Sequence, residues 1–212
     1  RAARPFYESF QKGMKPLVER DASDIEGKNH CRVVVSSDKG LCGSLNNNLL
    51  KEVRVMLEES PAAKETIACL GGKGRNGLQG RYGKQIWFNA LDLNKEPLTF
   101  TESALVAEEL ASQPFDTMSI TYNYFVSVLS FVPTTVTFLG RDQFATQSFS
   151  GYEVEGASEP LLQDIWEYYV AILVHGSVLE NSVSEIGARM TAMEGASKNA
   201  KEVNHKLQLQ YN

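Results

Sequence analysis

The stretch that decides the fold runs from residue 165 to residue 211 and reads IWEYYVAILVHGSVLENSVSEIGARMTAMEGASKNAKEVNHKLQLQY. One position in it recurs at alternating steps of four and three residues, and this heptad spacing predicts a helix that supercoils with another helix. At about 1.5 Å per residue the helix would be about 75 Å long, so it must extend beyond any domain built by the other residues. The positions of this seam are Ile165, Tyr169, Ile172, Gly176, Leu179, Val183, Ile186, Met190, Met193, Ser197, Ala200, Asn204, Leu207 and Tyr211.

A heptad seam needs a partner helix, and the opening residues offer one. Phe6, Phe10, Met14 and Leu17 have helical spacing, but this pattern ends after about 20 residues. We therefore expect either that the partner helix continues upstream of Arg1 or that another chain covers the rest of the seam. Because the sequence starts without methionine and stops inside a helical pattern without a Gly or Pro signal, we expect both helices to continue beyond it.

Between the two helical arms, apolar runs alternate with helical patterns. Helices are predicted for residues 45–58 and 99–112, and the second opens with the capping-box pair Thr99 and Glu102. Strands that alternate with helices indicate a mostly parallel sheet with helices on its faces. The predicted strands cover residues 32–36, 66–70, 85–89, 116–125 and 134–139.

These patterns together predict an α/β fold with three parts. The N-terminal arm of an antiparallel helical coiled coil takes residues 1–22, and its long C-terminal helix takes residues 158–212. A Rossmann-like α/β domain with a mostly parallel sheet is inserted between them at residues 30–145. The chain has 212 residues, of which 42% are hydrophobic and 22% charged, which is enough apolar material for one such core.

The composition excludes several classes of function. A net charge of -5 and a pI of about 5.3 give no attraction to nucleic acid, so no polynucleotide partner is expected. Cys31, Cys42 and Cys69 are an odd number of cysteines without C-x-x-C spacing, so neither a disulfide framework nor a zinc site is expected. The longest apolar stretch, at residues 168–174, is far shorter than the roughly 20 residues that span a bilayer, and no signal peptide opens the chain.

Two glycine-containing loops are candidate functional motifs. Residues 37–44 read SDKGLCGS after the first predicted strand, where Asp38 and Ser44 can cap exposed N–H groups. This loop is typical of a strand-to-helix turn. Catalysis by Cys42 would need a neighbouring histidine, and none is indicated by the sequence.

The second loop, at residues 72–77, reads GKGRNG and fits the G-x-G-x-x-G pattern of dinucleotide-binding proteins, with Asp92 further along. It follows the second predicted strand rather than the first. The residues behind it contain two more glycines, and we expect them to be too short for a crossover helix that could hold a pyrophosphate. We therefore predict a glycine-rich surface turn. The alternative is a dinucleotide-dependent enzyme that uses Gly72, Gly74 and Gly77.

Charged side chains are spaced along the long helix, and such a pattern usually marks a solvated face. An acidic partner that contacts the basic members is the other possibility. No paired-carboxylate, Ser-His-Asp or metal-ligand pattern stands out. The charged positions are Glu180, Glu185, Arg189, Glu194, Lys198, Lys201, Glu202 and Lys206.

Three stretches are the most distinctive: RAARPFY at residues 1–7, VSSDKGLCGSLN at 35–46, and SEIGARMTAMEGASKNA at 184–200. In this order they resemble the N-terminal helix, the signature after the first strand and the C-terminal helix of the gamma subunits of rotary ATP synthases. The resemblance covers essentially the whole chain. Lys39 stands where the family often has Arg, and Gly187 and Gly195 occupy positions that better helix formers usually fill.

The resemblance implies a non-catalytic central-stalk rotor subunit. Such a subunit couples rotation of the proton-driven c ring to conformational cycling of the catalytic beta subunits. The implied partners are the alpha and beta subunits, the c ring and the small delta or epsilon subunits of the stalk, with no cofactor. The implied location is peripheral to the matrix side of the mitochondrial inner membrane, or to the cytoplasmic side of a bacterial plasma membrane.

The resemblance also implies two sets of contact residues. Those that would face the acidic lever of a beta subunit are Asp38, Lys39, Cys42 and Arg189. Those that would lie near the c ring are Tyr152, Glu153 and Glu155. Besides the dinucleotide-dependent enzyme, a coiled-coil adaptor with a folded head remains an alternative function.

Overall fold

The computed structural model describes residues 4–18, 26–60, 62–93, 98–146 and 159–212. Strands and helices alternate from the first strand to the fourth, as the sequence predicted except between the second and third strands, where a turn was expected. In chain order the elements are α1 (Arg4–Val18), β1 (Asn29–Val35), α2 (Leu45–Glu58), β2 (Lys64–Leu70), α3 (Gly72–Tyr82), β3 (Ile86–Ala90), α4 (Phe100–Ala111), β4 (Thr117–Ser127), β5 (Ser130–Leu139), α5 (Arg141–Thr146) and α6 (Glu159–Tyr211).

The five strands form one sheet in the order β3-β2-β1-β4-β5. The pairs β1–β2, β2–β3 and β1–β4 are parallel, and only the β4–β5 hairpin is antiparallel. In the middle of β1, Val33 is opposite Ala68 on one side and Ile120 on the other. The prediction of a mostly parallel sheet is therefore confirmed. The strand order reverses direction between β1 and β4, and ligands bind at such a switch point in many α/β proteins.

Both faces of the sheet are covered by helices. On one face, α4 and α6 pack over residues such as Val33 and Ile120, with Trp166 and Tyr169 of α6 buried in the same cluster. On the other face, α2 and α3 pack over a smaller cluster that includes Val34. Helix α4 begins at the predicted capping box, because Thr99 accepts from the Glu102 N–H and Glu102 accepts from the Thr99 N–H.

Helix α3 contradicts the expected surface turn after β2. Eleven residues, Gly72–Tyr82, are helical although four of them are glycine. Packing rather than intrinsic propensity stabilises this helix. Leu78 is fully buried against α2 and the sheet, and a Cβ at Gly77 would lie 2.4 Å from a methyl carbon of Leu50. Glycine thus lets α3 approach α2 closely, which the sequence pattern did not indicate.

Helices α1 and α6 pack against each other in antiparallel directions. Arg4 contacts Glu180, the ring of Tyr7 lies against Gly176, and Phe10 contacts Tyr169 with ring centroids 6.4 Å apart. The inward face of α1 differs by one residue from the predicted one, because Tyr7 is buried and Phe6 is 53% exposed.

The heptad seam of α6 changes environment along its length. Tyr169, Ile172 and Gly176 are buried, but from Val183 onward the seam is exposed, with Ile186 at 64% and Met190 at 55%. The C-terminal part of α6 therefore extends away from the α/β layers with its apolar seam uncovered. The described residues contain no helix with the length and apolarity required to cross a membrane.

Two glycines of α6 should respond to alanine in opposite ways. A Cβ at Gly176 would lie 2.8 Å from the Tyr7 ring, so Gly176→Ala should cost about 1 to 3 kcal/mol of stability through overpacking. At Gly195 a Cβ would meet no heavy atom of the described residues within 4 Å, so Gly195→Ala should favour the helix by up to about 1 kcal/mol. Urea denaturation and helical circular dichroism measure the two effects. A stabilised Gly176→Ala variant would contradict the packing of α1 on α6.

Candidate partner-binding site

The loop between β1 and α2 lies against α6 at the carboxyl edge of the sheet. Cys42 is 3% exposed and packs with Leu45 and Ala188. The Asn46 side-chain amide donates to the Ser37 hydroxyl at 2.8 Å and to the Cys42 sulfur at 3.1 Å. These contacts fix the loop on the part of α6 where the helix leaves the α/β layers.

Asp38 holds the same loop to its neighbours. Its carboxylate accepts from the backbone N–H of Gly72 at 2.7 Å and from that of Asp92 at 3.0 Å. Asp38 therefore caps α3 and not α2, because β1 and β2 are adjacent and their carboxyl ends meet. Ser44 stands at the N-cap of α2 but its side chain makes no capping hydrogen bond.

The tip of the loop presents two accessible side chains of different chemistry. Lys39 is exposed, and Leu41 is 74% exposed with a φ of 61°, in the left-handed region that non-glycine residues rarely adopt. Strained backbone clusters at functional sites, which makes the tip of this loop a candidate contact surface. Arg189 lies one residue beyond Ala188 and forms an ion pair with Glu185 on the same helix.

The structure thus brings together, at one end of the α/β layers, all four residues that the resemblance implied for the lever contact. Lys39 is exposed and Arg189 is partly exposed, so both can meet a partner. Asp38 and Cys42 make their contacts inside the chain and position the loop. Their assignment to a beta-subunit lever stays a prediction.

The switch point between β1 and β4 is filled by α6. The Asn123 side-chain amide donates to Asn181 at 2.9 Å, and the Ser184 hydroxyl donates to the Asn123 carbonyl at 3.1 Å. Asn123, Asn181 and Ser184 are all buried. A nucleotide in the usual position of a doubly wound fold would overlap this helix.

The second possible nucleotide position, the N-terminus of α3, is also filled from within the chain. The N–H groups of Gly72, Lys73 and Gly74 donate to the Asp38 carboxylate, the Ser37 carbonyl and the Ser36 hydroxyl. A pyrophosphate would have to displace the Asp38 carboxylate and would be repelled by it. The helix that the sequence analysis did not expect therefore exists, but its N-terminus is occupied.

Two of the three cysteines, Cys31 and Cys69, are not activated as nucleophiles. Burial raises the pKa of the Cys31 thiol and that of the Cys69 thiol to about 12, so both are protonated at neutral pH. Among the described residues there is no group of three His, Cys, Asp or Glu side chains that could hold a metal ion.

Comparison with known proteins identifies the family of the chain. A family model described as ATP synthase matches residues 1–212. A gamma chain from Rhodospirillum rubrum is 32% identical over an alignment that covers the whole of this chain and 80% of the relative. The chain belongs to the gamma subunit family of ATP synthases.

Comparison with two further members of this family shows how much of their length this chain spans. The mitochondrial gamma subunit of Ipomoea batatas is 36% identical over 91% of this chain, but the match spans only 63% of that relative. A chain in the central stalk and c-ring structure of the Tetrahymena thermophila mitochondrial ATP synthase is 27% identical, with a TM-score of 0.73. That alignment covers 92% of this chain and 93% of the other.

In this gamma-family chain, a buried cluster around Glu180 joins α1, α6 and β4. The Glu180 carboxylate accepts from Arg4 Nε at 2.5 Å, from the Tyr7 hydroxyl at 2.5 Å and from the Phe125 N–H at 3.1 Å. Arg4 also donates to the Phe125 carbonyl and lies over the ring of Tyr124. We call these residues the Glu180 cluster.

The Glu180 cluster corrects the expectation of a solvated position for Glu180 and Glu185 only. The other acidic and lysine positions of that set, which are Glu194, Lys198, Lys201, Glu202 and Lys206, are exposed as expected. Glu180 is 5% exposed and Glu185 is 7% exposed. Burial alone raises the pKa of Glu180, but the hydrogen bonds from Arg4, Tyr7 and the Phe125 N–H outweigh it and hold the pKa below its ordinary value. Burial and the Glu180 carboxylate together raise the pKa of the Tyr7 hydroxyl. The carboxylate is therefore charged and the phenol neutral.

The residues assigned to the c-ring contact cannot be placed. Tyr152, Glu153 and Glu155 lie outside the described residues. In contrast, Leu41 is a contact candidate that the sequence analysis missed. An exposed leucine at the tip of a loop has no distinctive sequence pattern, and only its φ and its exposure single it out.

Proposed function

We propose that this chain is the central rotor subunit of a rotary ATP synthase and carries no active site of its own. The observation that carries the proposal is α6, a helix of 53 residues whose apolar seam is buried at one end and exposed from Val183 onward. An uncovered seam of this length fits a shaft that works inside a larger assembly. Membership of the gamma family supports the same function.

The geometry favours an antiparallel coiled coil as the form of the shaft. Because α1 runs antiparallel to α6 and Arg4 lies beside Glu180, a helix preceding Arg4 in the same direction would lie along Val183, Ile186 and Met190. Such a segment would cover the exposed seam. The division into a coiled-coil arm at 1–22, a domain at 30–145 and a long helix at 158–212 belongs to this proposal.

The proposed partners are the alpha and beta subunits around the shaft, and the c ring and small delta or epsilon subunits at the α/β domain. The described Tetrahymena thermophila relative comes from a central stalk and c-ring structure, which supports this arrangement. The chain would then be peripheral to an energy-coupling membrane. We propose the matrix side of the mitochondrial inner membrane, with the cytoplasmic side of a bacterial plasma membrane as the alternative.

The proposed mechanism is mechanical. A shaft changes the nucleotide affinity of a surrounding site only if its contacts with that site differ between rotational positions. One side of this chain bears the loop with Lys39 and Leu41, which breaks the symmetry of the rod at the point where α6 emerges. Rotation would bring this side to each beta subunit in turn.

Reversal of the charge at Lys39 tests the proposed lever contact. In the isolated chain Lys39→Glu should change stability by no more than about 0.5 kcal/mol, because the side chain is exposed. In the assembled complex the reversal should weaken the contact by about 1 to 2 kcal/mol and lower the ratio of proton pumping to ATP hydrolysis. The loss should be greater at low salt than at high salt.

A matched control is Lys51→Glu, which makes the same charge change at an exposed position on α2. The control should leave the pumping ratio unchanged. Equal ratios for the two variants at low salt would remove Lys39 from the contact while leaving the rotor proposal intact. Failure of the wild-type chain, extended to full length, to assemble with alpha and beta subunits would overturn the rotor proposal itself.

A further inference from the structure

A groove runs over the outer surface of the α/β layers between α4, α5 and the first half of α6. Its volume is about 660 Å³. Small side chains form much of its floor and leave room for a third helix to approach closely. These floor residues are Ala104, Ala107, Ala111 and Ala171.

Apolar side chains form the walls of the groove and are exposed to solvent. Leu105 on α4 is 62% exposed and Tyr168 on α6 is 45% exposed. The rings of Phe100 and Tyr168 meet edge to face at one end, with centroids 5.8 Å apart. An exposed apolar surface with a polar rim is typical of protein interaction sites.

The rim of the groove is acidic on both sides. Glu108 lies on the α4 side, and Asp164 and Glu167 lie on the α6 side. Among the described residues, Arg141 is the one basic side chain that lines the groove, and it is 3.6 Å from the Glu167 carboxylate and 3.4 Å from that of Asp142. Neither α4 nor residues 159–174 of α6 contain a lysine or an arginine. The rim therefore keeps a net negative charge.

We propose that this groove binds an amphipathic helix of a partner protein, with basic side chains on both flanks of the helix's apolar face. Apolar anchors spaced three and four residues apart would fill the alanine floor, as in other helix-in-groove contacts. Lysine or arginine on the two flanks would face Glu108 on one side and Asp164 on the other. Helix α4 is about 18 Å long, which matches about three turns of the bound helix.

The charge of the rim decides between possible occupants. An anionic lipid surface or a nucleic acid would be repelled by Glu108, Asp164 and Glu167. The inference is independent of the rotor proposal, because it uses only the α4–α6 surface and not the exposed seam or the Lys39 loop. Either proposal can fail without the other.

The test uses the full 212-residue chain and a fluorescein-labelled synthetic helix of about 18 residues, with leucines on one face and lysines on both flanks. Its binding is followed by fluorescence anisotropy at low salt. We expect saturable binding, weakened about tenfold by Glu108→Lys combined with Asp164→Lys. Leu105→Ala, at an exposed position, should weaken it as well. A peptide with glutamates on the flanks should not bind.

The control variant combines Glu194→Lys with Glu202→Lys, two exposed positions on the distal part of α6. It makes the same change in net charge and should alter the affinity less than twofold. Circular dichroism verifies that each variant is folded. Equal weakening by both double variants would mean general electrostatic attraction, and stronger weakening by the control would place the peptide on the exposed seam. Either result, or no binding of the lysine peptide, overturns the proposal.

Discussion

Glu180→Ala is expected to destabilise the chain by about 3 to 5 kcal/mol, because it removes one partner of a buried ion pair. Glu180 on α6 is the common acceptor for Arg4 and Tyr7 of α1 and for the Phe125 N–H of β4. Without the carboxylate, these donors lose their acceptor at the point where α1, α6 and β4 meet. Urea denaturation of the full chain, followed by circular dichroism, measures the loss.

Two further variants show whether the loss of the Glu180 carboxylate itself causes the loss of stability. Glu180→Gln keeps the size and one acceptor, so it should cost less than Glu180→Ala but still more than 1 kcal/mol. Glu194→Ala, at an exposed position of the same helix, should stay within about 0.5 kcal/mol of wild type. A Glu180→Ala variant as stable as Glu194→Ala would contradict the described cluster.

The contribution of Glu180 should also depend on pH in a defined direction. Its pKa in the folded chain is below the unfolded value of about 4.3. The charged carboxylate therefore stabilises the fold fully at pH values above the unfolded pKa. This stabilisation should decline as the pH falls through the folded pKa, so the stabilities of wild type and Glu180→Gln should approach each other on acidification below the unfolded pKa.

Much of the α/β fold was predictable from local patterns. Buried parallel strands appear as short apolar runs, and Thr99 with Glu102 marked the start of α4 at the correct residue. The long helix was predicted from its heptad seam, which is longer than the apolar face of a helix on the surface of a globular domain. These features depend only on residues that are close to one another in the sequence, so they could be predicted from the sequence.

What the sequence could not predict depends on contacts between distant residues. Four glycines made α3 look like a turn, because the close approach of Gly77 to Leu50 is a tertiary contact. The sequence indicated that Asp38 could cap exposed N–H groups but not which ones, and the sheet order places it beside Gly72. Glu180 looked like one of many surface charges because its partner Arg4 is far away in sequence.

The candidate partner site was predictable only in part. The motif at residues 37–44 indicated a candidate loop, and the structure places that loop against α6. The sequence could not separate the residues that hold the loop, Asp38 and Cys42, from those that are accessible, Lys39 and Leu41. That separation follows from burial and hydrogen bonding, which the motif does not encode.

Amide hydrogen exchange should divide α6 into two parts with very different protection. In the first part, residues such as Trp166 and Val170 are buried under the sheet, so exchange requires opening of the core. In the second part, Ile186, Met190 and Leu207 are exposed, and an isolated helical segment of this length is marginal in water. We expect the second part to exchange at least about 1000-fold faster, which corresponds to about 4 kcal/mol.

The sequence of the distal part strengthens this expectation. The seam there contains Ser197, Ala200 and Asn204, and Gly195 lowers the intrinsic helix propensity. Gly195→Ala should therefore slow exchange in the distal part only, which serves as an internal control. Uniform protection up to Tyr211 would show that the segment is stable without a partner. If the distal part exchanges quickly in the isolated chain and slowly in the assembled complex, the stiffness that a rotating shaft needs comes from its partners, because the exposed seam cannot offset the ordering entropy by itself.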